Sequence, residues 1–295
     1  MKTNKILVCI DFQEQSLAAL HQCYDISRFL KAEVVLLYVI ESTDLFSKLF
    51  GSDMEQTKAE VKQRLVNLID KECATSNLKF SYVIRVGKVS ESIIETAKEI
   101  NARFIIMGKN GSTSGIKKFL GSNTTKVISE SDFPVISVKG EHSIGYKNII
   151  LPLDLSESTK EKVASAISFS KFFGSHIHIV TVHSVGIIYQ ATNLYNRIKK
   201  IEKIFHSNGI ECTHKLFKRA DKDDYEYVLD YSREVNADLI MIMTHQEGKV
   251  RDYYIGAFAH HIINESEIPV LSLTPTLPQN EETVMDALVD PFNIF

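Results

Sequence analysis

Short, wholly apolar runs alternate with longer stretches of helical periodicity along this chain. The runs at 5–10, 33–39, 80–86, 103–107 and 134–138 are rich in Val, Ile and Leu and do not alternate with polar residues. That pattern predicts strands covered on both faces, as in a parallel sheet with helices on either side. Between them, residues 14–30 place Leu17, Leu20, Tyr24, Ile26 and Phe29 on one broad apolar face. Residues 53–72 follow a Ser52-x-x-Glu55 capping box and carry Val61, Leu65, Leu68 and Ile69 at helical spacing. Helices at 90–100 and 122–131 complete the set.

The pattern then repeats. Lys5-Ile-Leu-Val-Cys-Ile-Asp11 returns as Asn148-Ile-Ile-Leu-Pro-Leu-Asp154, Ala102-Arg-Phe-Ile-Ile-Met107 as Ala237-Asp-Leu-Ile-Met-Ile-Met243, and Phe133-Pro134-Val135 as Ile268-Pro269-Val270. Matching Asp11 to Asp154 gives an offset of 143; matching Met107 to Met243 gives 136, and Pro134 to Pro269 gives 135. Order is kept and loops absorb the differences, which is the signature of duplication. The fold class expected is α/β: two tandem doubly wound domains, each a five-stranded parallel sheet, at 1–140 and 145–275, followed by a tail at 276–295. In such sheets ligands bind beyond the carboxyl ends of the strands, at the topological switch point.

Composition adds exclusions. With 44% hydrophobic and 24% charged residues the chain has the makeup of a globular protein, and a net charge of -3 gives no general pull toward nucleic acid or anionic membrane. The N-terminal apolar run before Asp11 is too short for a secretory signal or a membrane span. Cys9, Cys23, Cys73 and Cys212 form no CxxC pair, so reduced thiols and a cytoplasmic location are expected.

Candidate chemistry lies after the fourth strand. Gly108, Gly111 and Gly121-Ser122 follow the spacing G-x2-G-x9-G-S. Gly108 allows a sharp turn and a close backbone approach to a ligand, and Gly111 helps aim amides into an anion nest. Ser122 is expected to N-cap the last helix, whose free N–H groups favour a phosphate; Lys117 and Lys118 add charge. Asp11, at the carboxyl end of strand one, either contacts a ligand in the crevice or caps the helix at 14–30.

On these residues the chain resembles the universal stress proteins, whose ATP-binding members carry this glycine spacing after strand four. The resemblance covers residues 3–275. It implies that Asp11 contacts the nucleoside, that the backbone of Val39 meets adenine, and that Met107, Gly108, Gly111, Gly121, Ser122, Asn123 and Thr124 line the ribose and phosphates. The implied cofactor is ATP, alone or with Mg²⁺, and the implied role is nucleotide sensing in a stress response. Because family members pair through strand five, the two copies are expected to form an intramolecular pseudo-dimer, with homodimerisation open. The rival readings are a slow ATPase or phosphotransfer enzyme using Asp11, and a module binding another ligand through copy two.

The second copy departs from the pattern. It keeps Asp154 and Val182, but Gly108 becomes Thr244, Glu247 brings a negative charge, the loop to Gly256-Ala257 is two residues shorter, and alanine replaces the capping serine. Walker and GxGxxG loops are missing. Gly111-Ser-Thr-Ser-Gly115 has Thr113 where a nucleophile elbow needs serine. His176 and His178 share one strand face, His260 and His261 lie on the last helix, and all four suit packing or surface roles. Asp221–Asp224 is expected to be a solvated loop. The apolar segment 41–52 covers the nucleotide, meets a partner or simply packs. The apolar tail, with Leu288 and Phe292, is expected to dock.

Overall fold

The computed structural model describes residues 4–41, 53–109, 122–140, 145–154, 159–183, 188–244 and 255–273. Its first unit, Met1–His142, alternates strand and helix. The strands are β1 (Lys5–Cys9), β2 (Glu33–Glu41), β3 (Phe80–Gly87), β4 (Phe104–Gly108) and β5 (Val135–Val138). The helices are α1 (Glu14–Leu30), α2 (Asp53–Ser76), α3 (Val89–Ile100) and α4 (Ser122–Glu130). Strand order is β3-β2-β1-β4-β5, all parallel, so the direction of winding reverses between β1 and β4. Ile6, Leu7, Ile105, Ile106 and Ile136 are fully buried, as continuous apolar runs in a doubly covered sheet require. β3 differs. It is half-buried along nearly its whole length and contains Arg85, because it has a strand neighbour only in β2.

The second unit, Ser143–Phe295, repeats this plan. Its strands are β6 (Asn148–Pro152), β7 (His176–His183), β8 (Cys212–Lys218), β9 (Leu239–Met243) and β10 (Val270–Leu273). Its helices are α5 (Thr159–Phe173), α6 (Ile188–Ser207), α7 (Asp224–Glu234) and α8 (Ala257–Glu265). Strand order is β8-β7-β6-β9-β10, again parallel. The two units match in detail. Lys31 ends α1 at φ 48, and Gly174, 143 positions later, follows α5 at φ 59. Pro134 and Pro269 lack an N–H, so they stand just outside β5 and β10 and lend their carbonyls to Ile105 and Ile240 at 2.9 and 3.0 Å.

Two boundaries bear on the site. β2 runs to Glu41, two residues beyond its predicted end, because its outer residues pair with β3 after β1 has left the sheet. α4 starts at Ser122, which makes Ser122 its first helical residue and not the N-cap expected of it. Asp221–Asp224 is likewise more than a solvated loop. Asp223 caps α7 in a capping box, and Glu226 accepts its backbone N–H at 2.8 Å.

Candidate functional site

The winding reversal leaves a crevice beyond the carboxyl ends of β1 and β4, bordered by β2. Asp11 stands exposed at the end of β1. Its Oδ1 accepts the Gln13 N–H at 2.9 Å, and its own N–H donates to Ser16 Oγ at 3.3 Å. The residue in the N-cap position of α1 is Gln13, so Asp11 shapes the turn into the helix without capping it. The Asp11 charge also reaches Cys9: burial first, and that carboxylate second, push the Cys9 thiol up. Cys9 therefore stays protonated and is no nucleophile.

Val39 owes its place to strand parity. The Glu33 N–H donates to Asn4 O and the Ile10 N–H to Leu37 O, so odd-numbered residues of β2 hydrogen-bond toward β1. Val34 donates to Lys79 O, so even-numbered residues face β3. Val39 continues the odd set past the point where β1 ends, which aims its N–H and C=O into the crevice. A backbone donor and acceptor side by side are what the edge of a planar heterocycle requires.

At the opposite side, Met107 is buried and Gly108 closes β4. A Cβ on Gly108 would lie 2.4 Å from Gln15 C and O and 2.7 Å from Ser16 N. The glycine thus admits the first turn of α1, a helix-packing reason beside the ligand approach expected of it. Gln15 pins the same turn a second time, accepting the Gly140 N–H with its side chain. On α4, Thr124 is buried and Asn123 half-buried. Gly111, Gly121, Thr113, Lys117, Lys118 and the Ser122 side chain lie outside the described residues, as do segment 42–52, Glu247 and the tail from residue 274.

In the second unit the corresponding carboxylate is already occupied. Lys162 on α5, itself buried, places Nζ 3.0 Å from Asp154 Oδ1. The residue 143 positions earlier is Ala19, small, apolar and fully buried. A lysine at that position is the one charge on the inward face of α5, and this is the signal by which the sequence marks the difference. Thr159 takes the place of Ser16, and its buried Oγ1 makes no hydrogen bond among the described residues. Register also corrects the earlier match of Gly108 to Thr244. Lys109 N–H donates to Val138 O at 2.7 Å, and Thr244 N–H to Leu273 O at 3.0 Å. Gly108 pairs with Val138 as Met243 pairs with Leu273. Strand four therefore keeps the offset of 135 seen at the prolines, with Met243 in the place of Gly108 and Thr244 in that of Lys109.

The histidines of β7 have partners of their own. The rings of His176 and His178 stack with centroids 4.3 Å apart. Thr213 Oγ1 lies 3.1 Å from His176 Nε2 and 3.0 Å from His178 Nδ1, and His178 Nε2 is 3.3 Å from Asn148 Oδ1. Burial first, and the neighbouring His176 second, lower the pKa of His178 to about 4. On α8, His261 pairs with Glu265 at 2.9 Å and stacks on Tyr225. No described helix is long and apolar enough to cross a membrane.

The model of the universal stress protein family matches residues 2–139 and again 145–273. Universal stress protein MJ0577 of Methanocaldococcus jannaschii is 33% identical over 156 residues, which are 47% of this chain and 96% of that protein. A universal stress protein of Mycolicibacterium smegmatis is 19% identical over 288 residues, 92% of this chain and 97% of its own. Among solved structures, a universal stress protein from Archaeoglobus fulgidus superposes with a TM-score of 0.77 at 22% identity, covering 93% of this chain and 99% of that one.

Proposed function

Since the chain belongs to the universal stress protein family, we propose that its first unit binds ATP and that the chain acts as a nucleotide sensor in a stress response. The observation that carries this reading is the inequality of the two crevices. Asp11 is exposed beside the carboxyl end of β4, whereas Asp154 is tied to a buried lysine. A ribose hydroxyl needs an acceptor such as the Asp11 carboxylate, and a purine edge needs a donor and acceptor such as Val39 offers. Met107, Gly108, Gly111, Gly121, Ser122, Asn123 and Thr124 are the remaining residues of the proposed site. Amides at the start of α4 suit the phosphates, and Mg²⁺ enters as the counter-ion of the triphosphate.

The Asp11 carboxylate already accepts the Gln13 N–H at Oδ1, which fixes it as an orienting acceptor. Sensing, in which binding biases a conformation, is accordingly the reading preferred to turnover. Isothermal calorimetry with ATP and Mg²⁺ on the full chain tests it. One ATP per chain is expected, with binding lost in Gly121→Asp through repulsion of the phosphates and retained in Asp154→Asn. A wild-type chain without detectable binding overturns the reading, and rapid multiple-turnover phosphate release replaces the sensor with an enzyme.

A further inference from the structure

Beside Asp11 and Val39 stands a stack of side chains that the glycine spacing does not include. Phe12 leaves β1 at φ 62, a left-handed conformation that a non-glycine residue seldom adopts. There its ring meets Tyr38, with centroids 5.4 Å apart. Arg64, on α2, lays its guanidinium over the Phe12 ring, Cζ 3.9 Å from the centroid. Phe12 directly follows Asp11 and Tyr38 directly precedes Val39, so the stack borders the crevice on its β2 side.

Arg64 is exposed and, among the described residues, has neither a carboxylate nor a hydrogen-bond partner. Other surface arginines are paired: Arg28 with Asp25, Arg85 with Glu99, Arg219 with Asp224 and Arg233 with Asp230. A guanidinium set over a ring, with no acid beside it among the described residues, keeps its N–H donors for an acceptor outside the chain. The second unit has Leu155 and Thr181 in the places of Phe12 and Tyr38, so this wall accompanies the unit with the full glycine spacing.

Strand order decides which part of a ligand meets it. The glycine segment follows β4, on one side of β1, and the Phe12–Tyr38–Arg64 stack lies toward β2, on the other. A nucleotide with its phosphates at the glycine segment presents its base and ribose to the stack. We infer that Arg64, carried on Phe12, is a ligand-contacting residue that recognises the nucleoside end of a bound purine nucleotide. The inference rests on the nucleotide-binding reading of the same crevice.

Calorimetric titration of the full-length wild type, Arg64→Ala and Arg64→Lys with ATP, adenosine and inorganic tripolyphosphate tests it. Arg64→Ala is expected to weaken ATP and adenosine by one common factor, about three- to thirtyfold, and to leave tripolyphosphate unchanged. Arg64→Lys, which keeps the charge and loses the planar fork, is expected to recover only part of that factor. An unchanged Kd for ATP in Arg64→Ala overturns the inference and leaves the nucleotide reading standing. A loss confined to ATP and tripolyphosphate overturns it in favour of a phosphate contact. A wild type that binds neither ATP nor adenosine overturns both.

Discussion

Gly108 and Gly256 separate two uses of glycine that look alike in the sequence. Gly108 faces backbone atoms of Gln15 and Ser16 at 2.4 to 2.7 Å, where a methyl group has no room and a helix turn cannot yield cheaply. Gly108→Ala is expected to destabilise the first unit by about 3 kcal/mol. Gly256, in the N-cap position of α8, has nothing within 4 Å of an added Cβ. Gly256→Ser is expected to stabilise by a few tenths of a kcal/mol through a capping hydrogen bond. Urea unfolding of the full chain measures both, and a Gly108→Ala variant as stable as wild type would remove the close packing of β4 against α1. The position of Gly108 was legible in the sequence, but its neighbour was not, since what touches a missing side chain is set by tertiary packing. Lys162 was open to reading from the sequence, as an ammonium where the aligned copy carries Ala19. Arg64 was not, because only the fold brings α2 over the residue after β1.

At the scale of elements the sequence located every described strand and helix of the first unit to within a few residues, because apolar runs and helical periodicity are local signals. It missed what depends on pairing: the extra length of β2, the half-exposure of edge strand β3 and the register of β9. Those follow from which strand lies alongside. β7 shows what such pairing does to a titratable group. A neutral His178 accepts from Thr213 at Nδ1 and donates from Nε2 to Asn148 Oδ1, a tautomer assigned from these partners. With its pKa lowered to about 4, the folded chain resists a proton that the unfolded chain accepts near 6.5. Stability linked to this group is therefore intact above pH 6.5 and lost as pH falls toward 4, by about 3 kcal/mol. Denaturant titrations at pH 7 and pH 4.5 are expected to show a smaller acid loss in His178→Gln than in wild type. Equal losses would mean that His178 titrates normally in the fold.

At the scale of the whole chain, duplication has produced two units of one topology with unequal crevices, and ligand linkage turns that inequality into a measurable difference. A ligand that binds only the folded first unit stabilises it by RT ln(1 + [L]/Kd), about 2.7 kcal/mol at one hundred times Kd. Amides that exchange by unfolding of that unit, such as those of the fully buried Leu7, Leu36 and Ile105 in strands β1, β2 and β4, are then expected to slow about a hundredfold. The second unit, whose Asp154 is held by Lys162, gains no such term of its own. Its buried amides, such as those of Ile150, Ile179 and Ile240, are expected to exchange at their original rates if the units unfold independently. Hydrogen exchange read by mass spectrometry, with and without ATP at fixed pH, reports both sets in one experiment. Slowing shared by both sets, with one ATP bound per chain, would show that the units unfold as one. With two bound, it would mean that Lys162 yields Asp154 to a second ligand, and the inequality on which the sensor reading rests would be gone.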